Sequence, residues 1–177
     1  VIDDCQENGA FRPEKLGSVT NIGLMARKAE EYGSHDKTFW VPEDGHVEVQ
    51  TSDGRVLFSS YVEKGDIWRM CRTEELAIQD WVRVALKEAQ AQQQPLIFWL
   101  DENRAHDHQV RRIVTEQLKE IDDSGLDVEI LDLKEAMKKT LARFRNGQDT
   151  ISATGNVMRD YLTDLFPILE LGTSAKM

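Results

Sequence analysis

Cysteine is scarce in this chain, whose 177 residues include only Cys5 and Cys71. The spacing of the two thiols fits neither a zinc-ligand set nor a disulfide framework, which excludes small cysteine-stapled folds and favours a reducing compartment. We therefore expect both cysteines to be packing residues.

The chain also lacks the segments that membranes and nucleotide phosphates require. No apolar run is long enough to span a bilayer and no signal or transit segment occurs, which predicts a cytoplasmic protein without a membrane partner. The phosphate-binding patterns GxGxxG and GxxxxGKS/T are both missing. A complete dinucleotide-binding crossover is therefore not predicted within this sequence.

Basic residues are outnumbered, with 22 Lys and Arg against 32 Asp and Glu and a formal net charge of −10. Binding to nucleic-acid or membrane phosphates needs clustered basic side chains, and those of this chain are scattered, so neither is predicted as a partner. With 40% hydrophobic residues, the chain is long enough to bury a core. We predict one α/β segment over residues 1–177.

The spacing of apolar residues predicts the first half of the secondary structure. Residues 21–32 are typical of a helix, closed by Gly33. The alternating segments 46–51 and 56–62 flank an Asp-Gly dipeptide, which predicts a small β-hairpin region.

The second half alternates between strands and helices. Strands are predicted over residues 67–71, 96–100 and 128–131, and the apolar run 96–100 is typical of a strand buried on both faces. Helices between and after them, the first beginning near Thr73, give a layered sheet with flanking helices, an α/β fold. Their predicted core positions are Ile78, Trp81, Val82, Ala85, Leu86 and Ala89, then Val110, Ile113, Val114, Leu118 and Ile121, and finally Leu133, Ala136, Met137, Leu141 and Phe144.

A polar cluster follows the apolar strand, at the position where open α/β sheets bind ligands. Its members are Asp101, Glu102, Asn103, Arg104, His106, Asp107 and His108. A metal site is one hypothesis, but residues two apart on a helix diverge by about 200°, and Mg²⁺ and Mn²⁺ prefer oxygen donors. We therefore expect a supporting hydrogen-bonding role for the cluster, or capping of the next helix by Asp101 or Asn103.

The segment TGNVMRDYLTD, residues 154–164, places Asp160 and Asp164 four apart on a predicted helix that Pro167 ends. Cβ atoms at this spacing lie roughly 5–6 Å apart, so two carboxylates can share one Mg²⁺ or Mn²⁺ ion, directly or through water. Arg159 lies about 100° around the helix and can pair with a substrate carboxylate. The spacing alone also fits a solvated helix face, whereas the apolar residues on either side favour a partly buried pair.

Five long strings occur in order along the chain. They are GSVTNIGLMARKAEEYGSHDKTF (17–39), GDIWRMC (65–71), FWLDENRAHD (98–107), SGLDVEIL (124–131) and DTISATGNVMRDYLTDLFPILELGTSAKM (149–177). Together they resemble the family of monomeric-type NADP-dependent isocitrate dehydrogenases over nearly the whole chain. Strings of this length are far more specific than one aspartate pair.

The resemblance implies roles for four residues. Asp160 and Asp164 would be ligands of Mg²⁺ or Mn²⁺, Arg159 would bind substrate, and Tyr32 would be the catalytic tyrosine that protonates the enol carbon. Taken alone, Tyr32 is more typical of half-buried packing. The catalytic lysine, the remaining metal carboxylate, the residues that bind most of isocitrate and those that bind NADP are expected outside residues 1–177.

The implied activity is oxidative decarboxylation of isocitrate to 2-oxoglutarate with NADP, by a monomeric enzyme of the tricarboxylic acid cycle and glyoxylate bypass. The implied fold is a partial isocitrate/isopropylmalate dehydrogenase-like fold. Residues 1–177 would be an internal fragment, mostly of the large domain and inactive alone, and residues 165–177 would begin the crossover to the small domain. The alternatives are a noncatalytic α/β module that binds a divalent metal or small organic acid, and a fragment that is stable only within its parent.

Overall fold

The computed structural model describes residues 1–24, 38–70, 74–121, 125–172 and 174, without the side chains of Arg69, Asn156, Val157 and Asp160. The chain divides into two compact units. The first is formed by Val1–Glu30 with Thr73–Met177, and the second by Glu31–Arg72. No described helix combines the length and apolar composition needed to cross a membrane.

A four-stranded parallel sheet is the centre of the first unit. Its strands are β1 (Val19–Gly23), β6 (Leu96–Trp99), β7 (Val128–Leu131) and β8 (Thr150–Thr154), in the spatial order β1-β8-β6-β7. All three neighbouring pairs are parallel. This sheet confirms the predicted α/β class, and the carboxyl ends of all four strands consequently meet at one edge.

Among the described residues, five helices accompany this sheet. They are α1 (Ile2–Asn8), α2 (Glu75–Gln92), α3 (Ala105–Glu120), α4 (Leu133–Arg145) and α5 (Asn156–Glu170), with a short 3₁₀ turn at Pro13–Lys15. Successive side chains of β6 point to opposite faces of the sheet. Leu96 and Phe98 pack in one core with α2 and α3, whereas Ile97 and Trp99 pack in the other with α4 and α5.

The first core confirms the predicted buried face of α2, because all six residues named for it are buried. The ring of Trp81 meets that of Phe98 edge to face, with centroids 5.2 Å apart. Its indole nitrogen donates a hydrogen bond to Ile22 O at 2.9 Å. Trp81 therefore fixes α2 against both the centre and the edge of the sheet.

The second core is built around Phe144 of α4. Its ring lies edge to face with Phe11 and Phe166, at centroid distances of 5.5 and 5.1 Å. Phe166 belongs to α5, and Leu162 and Leu169 of the same helix are also buried. This apolar face of α5 holds the helix on the sheet and directs its other face outward.

The described part of the second unit contains two antiparallel ribbons. Strands β2 (Thr38–Trp40) and β5 (Ile67–Arg69) pair, and β3 (Gly45–Gln50) pairs with β4 (Val56–Val62). The β3–β4 ribbon confirms the predicted hairpin. Its turn has Gly54 at φ +85°, a conformation that glycine adopts without steric cost.

The predicted helix over residues 21–32 is wrong where it can be compared, because residues 21–23 belong to β1. Asn21 and Gly23 are in register with Ser152 and Thr154 of β8, and Leu24 N donates to Thr154 O at 2.8 Å. Pairing with this distant strand outweighs the local helical pattern. Residues 25–37 lie outside the described part of the chain.

The predicted end of α5 at Pro167 is also wrong, because the helix continues to Glu170. Proline removes one N–H donor from the last turn. Beyond it, burial of Leu169 holds the chain on the core, and Leu171 N and Gly172 N donate to Pro167 O and Leu169 O. These contacts compensate for the missing hydrogen bond.

Candidate functional site

The candidate site lies at the carboxyl edge of the parallel sheet, where ligands bind in open α/β folds. Strand β6 ends at Trp99 just before the polar cluster 101–108, and β8 ends at Thr154 just before α5. Both sequence-predicted groups of polar residues therefore follow strands that are neighbours in the sheet.

Helix α5 contains Arg159, Asp160 and Asp164, as the sequence predicted. The two aspartates are one turn apart on it. The side chain of Asp164 is exposed, and within the described part of the chain it has no hydrogen-bond or ion-pair partner. The side chain of Asp160 is outside the described atoms, so a shared metal ion stays a prediction.

The side chain of Arg159 is half-buried and lies against the end of β1. A methyl group on Gly23 would be 2.5 Å from Arg159 Cδ and 2.7 Å from Arg159 Cγ. The aliphatic part of Arg159 therefore occupies space that is free because Gly23 has no side chain.

Strands β1 and β8 together fix the backbone of Arg159. Asn21 Nδ2 donates to Arg159 O at 3.2 Å, and Thr154 Oγ1 donates to Asn21 Oδ1 at 2.8 Å. Thr163 Oγ1 also donates to Arg159 O, at 2.7 Å. Because β1 and β8 both contribute, the position of Arg159 depends on the register of the sheet as well as on α5.

The polar cluster 101–108 is organised by a buried carboxylate. Asp107 is 6% exposed, and it accepts hydrogen bonds from Asp101 N at 3.1 Å and from Arg104 Nη1 at 2.8 Å. A carboxylate in the first turn of a helix is also favoured by the helix dipole. Asp107 therefore ties the loop after β6 to the start of α3.

The prediction that Asp101 or Asn103 caps α3 is wrong. The N-cap residue is Arg104, and no described side chain makes a capping hydrogen bond. Asp101 Oδ1 instead accepts from Asn103 N at 2.9 Å, which closes a local turn ahead of the helix. His106 and His108 lie on α3 itself, where their spacing turns them to different sides.

A small cavity lies at this edge of the sheet, with a volume of about 50 Å³. It is lined by Trp99, Arg104, Asp107, Leu133, Gly155 and Met158. Pockets for small organic molecules are typically roughly 300–1,000 Å³. The described residues around this cavity consequently do not form a complete acid-binding pocket.

A wider cleft of about 300 Å³ lies beside the start of α4. The carboxylates of Glu102, Asp132 and Glu135 line it together with one guanidinium, that of Arg111. The excess of negative charge disfavours an anionic substrate there. Among the described residues, no group of three or more His, Cys, Asp and Glu side chains is arranged to hold a metal ion.

Tyr32 lies outside the described residues, and its predicted role is not tested by the structure. The sequence also gave no indication of Gly23 or Asn21 as neighbours of α5. The hydrogen bond between Asn21 and Arg159 joins residues 138 positions apart, and no local pattern encodes such a contact.

Comparison with known proteins gives a family and close relatives. A sequence model of the family described as monomeric isocitrate dehydrogenase matches residues 1–177. The chain is 60% identical over 177 residues to an isocitrate dehydrogenase (NADP) of Azotobacter vinelandii and 57% identical to that of Corynebacterium efficiens. It is 52% identical over 178 residues to isocitrate dehydrogenase (NADP) 2 of Mycobacterium tuberculosis. Each match includes the whole chain but 24% of the relative, so the chain spans about a quarter of their length.

Proposed function

The chain belongs to the monomeric isocitrate dehydrogenase family, and from that premise we propose that it is part of an enzyme that oxidises and decarboxylates isocitrate with NADP. The family match over residues 1–177 and the names of the relatives support this activity. The observation that carries the proposal is the placement of Arg159, Asp160 and Asp164 on one helix, directly after a strand of a parallel sheet.

The donor set of α5 fits a divalent metal such as Mg²⁺ or Mn²⁺, because hard cations prefer carboxylate oxygens. Asp164 supports this fit, since its carboxylate is exposed and has no partner among the described residues. Asp160, one turn earlier, would provide the second oxygen ligand. The bound cation would act as a Lewis acid and stabilise developing negative charge on the substrate by several kcal/mol.

Arg159 would bind a carboxylate of isocitrate through two parallel N–H donors. Its position supports this role, because its backbone carbonyl is held by Asn21 and its aliphatic chain lies on Gly23. An arginine fixed in this way loses less conformational entropy when a substrate binds.

Tyr32 would donate a proton to the enol carbon after carbon dioxide leaves, a general-acid role worth roughly 10²–10⁴-fold. NADP would accept the hydride, and we place its binding residues, the catalytic lysine and the remaining ligands of isocitrate outside this segment. The segment alone would therefore be inactive. We further propose that the enzyme acts as a single chain in the cytoplasm, in the tricarboxylic acid cycle and glyoxylate bypass.

Substitution of Asp160 and Asp164 by asparagine in the intact enzyme tests the metal assignment. Asn keeps the side-chain size but removes the charge, so we expect each variant to lose at least ~100-fold in kcat/KM, to bind Mn²⁺ more weakly in calorimetry, and to remain folded. Glu170→Gln is the matched control, because Glu170 is an exposed carboxylate in the last turn of the same helix. Full activity and unchanged Mn²⁺ affinity in both aspartate variants would refute the assignment.

A further inference from the structure

Arg159 lies closer to the backbone of Gly23 than it could if residue 23 had a side chain. A carbon atom added at Gly23 would lie 2.5 Å from Arg159 Cδ, 2.7 Å from Arg159 Cγ and 3.3 Å from Arg159 Cβ. Carbon atoms in favourable contact are about 3.5–4.0 Å apart. Even alanine at position 23 therefore requires the arginine chain to move.

The movement cannot be confined to the tip of the side chain. The carbons nearest to the added methyl group are in the middle of the arginine chain, and Arg159 Cβ is attached to the helix backbone. That backbone is held by hydrogen bonds from Asn21 Nδ2 to Arg159 O and from Arg159 N to Gly155 O. The side chain must consequently change rotamer, which displaces the guanidinium.

We propose that Gly23 is a positioning residue for Arg159, and that its missing side chain sets where the guanidinium meets a substrate carboxylate. This inference rests on the proposed function, in which Arg159 binds isocitrate. Gly23 itself contacts no substrate. It acts by letting the arginine chain lie across the end of β1, while Asn21 of the same strand holds the arginine backbone.

The size of the effect follows from the displacement. Relief of a 2.5 Å approach requires a shift of about 1 Å. Misplacement of a binding group by this distance lowers kcat/KM on the order of 100-fold. A guanidinium that holds a carboxylate throughout the reaction affects mainly KM, since its contact is present in both the ground state and the transition state.

The test is steady-state kinetics of Gly23→Ala in the intact enzyme. We expect kcat/KM for isocitrate to fall on the order of 100-fold, mostly through KM for isocitrate, with KM for NADP within about twofold of wild type. Gly45→Ala is the matched control, because a methyl group at Gly45 meets no described atom within 4 Å. The control should match wild type in both KM values.

A double-mutant cycle with Arg159→Ala separates the two proposals. If Gly23 acts through Arg159, adding Gly23→Ala to Arg159→Ala should lower kcat/KM by less than about twofold. Full activity of Arg159→Ala would refute the substrate-binding role that the proposed function gives to Arg159, and the positioning role of Gly23 with it. Two outcomes would refute only the positioning role of Gly23. In the first, Arg159→Ala loses activity strongly while Gly23→Ala keeps the kcat/KM of wild type. In the second, Gly23→Ala lowers kcat/KM by the same factor whether residue 159 is arginine or alanine.

Misfolding of Gly23→Ala would also be informative. The Arg159→Ala change removes the two carbons that clash most closely with the new methyl group, so the double variant should then regain the thermal stability of Arg159→Ala. This rescue would support the contact. A double variant that misfolds as well would overturn the proposal, because the defect would then arise from another neighbour of Gly23.

Discussion

The two units of the chain differ in how far they bury their apolar side chains. In the first unit, β6 is covered on both faces, and Phe98 is 0% exposed. In the second unit, β4 is almost entirely exposed, and Phe58 is 70% exposed. Within the described residues, the helices on both faces of the parallel sheet bury its apolar side chains in a core. The two ribbons of the second unit do not bury theirs in this way.

The second unit therefore depends on local interactions to a greater extent than the first. Two-stranded ribbons are marginally stable by themselves, and the described hairpin is fixed by its turn, where Thr51 N donates to Arg55 O and Gly54 N donates to Thr51 O, both at 2.9 Å. Large exposed apolar residues such as Phe58 and Tyr61 add little to its stability. The following three comparisons test this contrast in order of decreasing effect.

Phe98→Ala and Phe58→Ala should differ most. Loss of the buried ring in the first unit leaves a cavity beside Trp81, so we expect the free energy of unfolding to fall by about 3–5 kcal/mol. Loss of the exposed ring should change it by less than about 0.5 kcal/mol. Denaturant unfolding followed by tryptophan fluorescence measures both. A comparable loss in the two variants would show that Phe58 is covered in the intact protein, and the contrast would fail.

Two glycine substitutions compare close packing in the first unit with backbone conformation in the second. A methyl group on Gly17 would lie 2.3 Å from Gln148 O, a backbone atom, so Gly17→Ala should destabilise by about 1–3 kcal/mol. A methyl group on Gly54 meets no described atom within 4 Å, but alanine there must adopt the left-handed conformation, which costs about 1–2 kcal/mol. Thermal unfolding gives both values, with Gly45→Ala as the neutral reference. An unaffected Gly17→Ala would argue against the close approach of the backbone.

The smallest expected effect is the pH dependence of the hairpin. The Thr51 hydroxyl donates a hydrogen bond to Asp53, and this bond, helped by backbone N–H groups, holds the pKa of that carboxyl below its usual range. A lowered pKa in the folded state stabilises the hairpin above the ordinary aspartate pKa of about 3.9, and this contribution is lost as the pH falls through the folded pKa. Amide hydrogen exchange at Thr51 and Gly54 should therefore show reduced protection in acid.

Asp53→Asn is the control for this pH effect, since it removes the titrating group and should abolish the local dependence. Amides of β6, which belong to the first unit, provide an internal reference within the same sample. The role of Asp53 would be contradicted if lowering the pH below the usual aspartate range left the protection of the Thr51 and Gly54 amides unchanged relative to the amides of β6.

Much of the fold was predictable because it is encoded by short-range patterns. The buried face of α2, the doubly buried β6 and the Asp-Gly hairpin each follow from residues within one element. Strand β1 was missed because its structure is determined by parallel pairing with β8. A contact of this kind is formed by tertiary structure and leaves no periodic signal in the sequence.

The candidate site was predictable only in part for the same reason. Spacing alone placed Arg159, Asp160 and Asp164 on one helix, and that helix is confirmed. The buried carboxylate of Asp107 was assigned only to a polar cluster, because its partners, Asp101 N and Arg104 Nη1, depend on the path of a loop. The contact of Gly23 with Arg159 required coordinates, since a glycine gives no chemical indication of what lies against it.

The order of strands in the parallel sheet has a consequence for synthesis on the ribosome. Ser18, next to β1, bonds to Asp149, next to β8, and the two residues are 131 positions apart. At roughly 5–20 residues per second, β1 emerges from the ribosome on the order of 10 s before its partner is translated. The pairing of β1 with β8 can therefore form only after most of this segment has been synthesised.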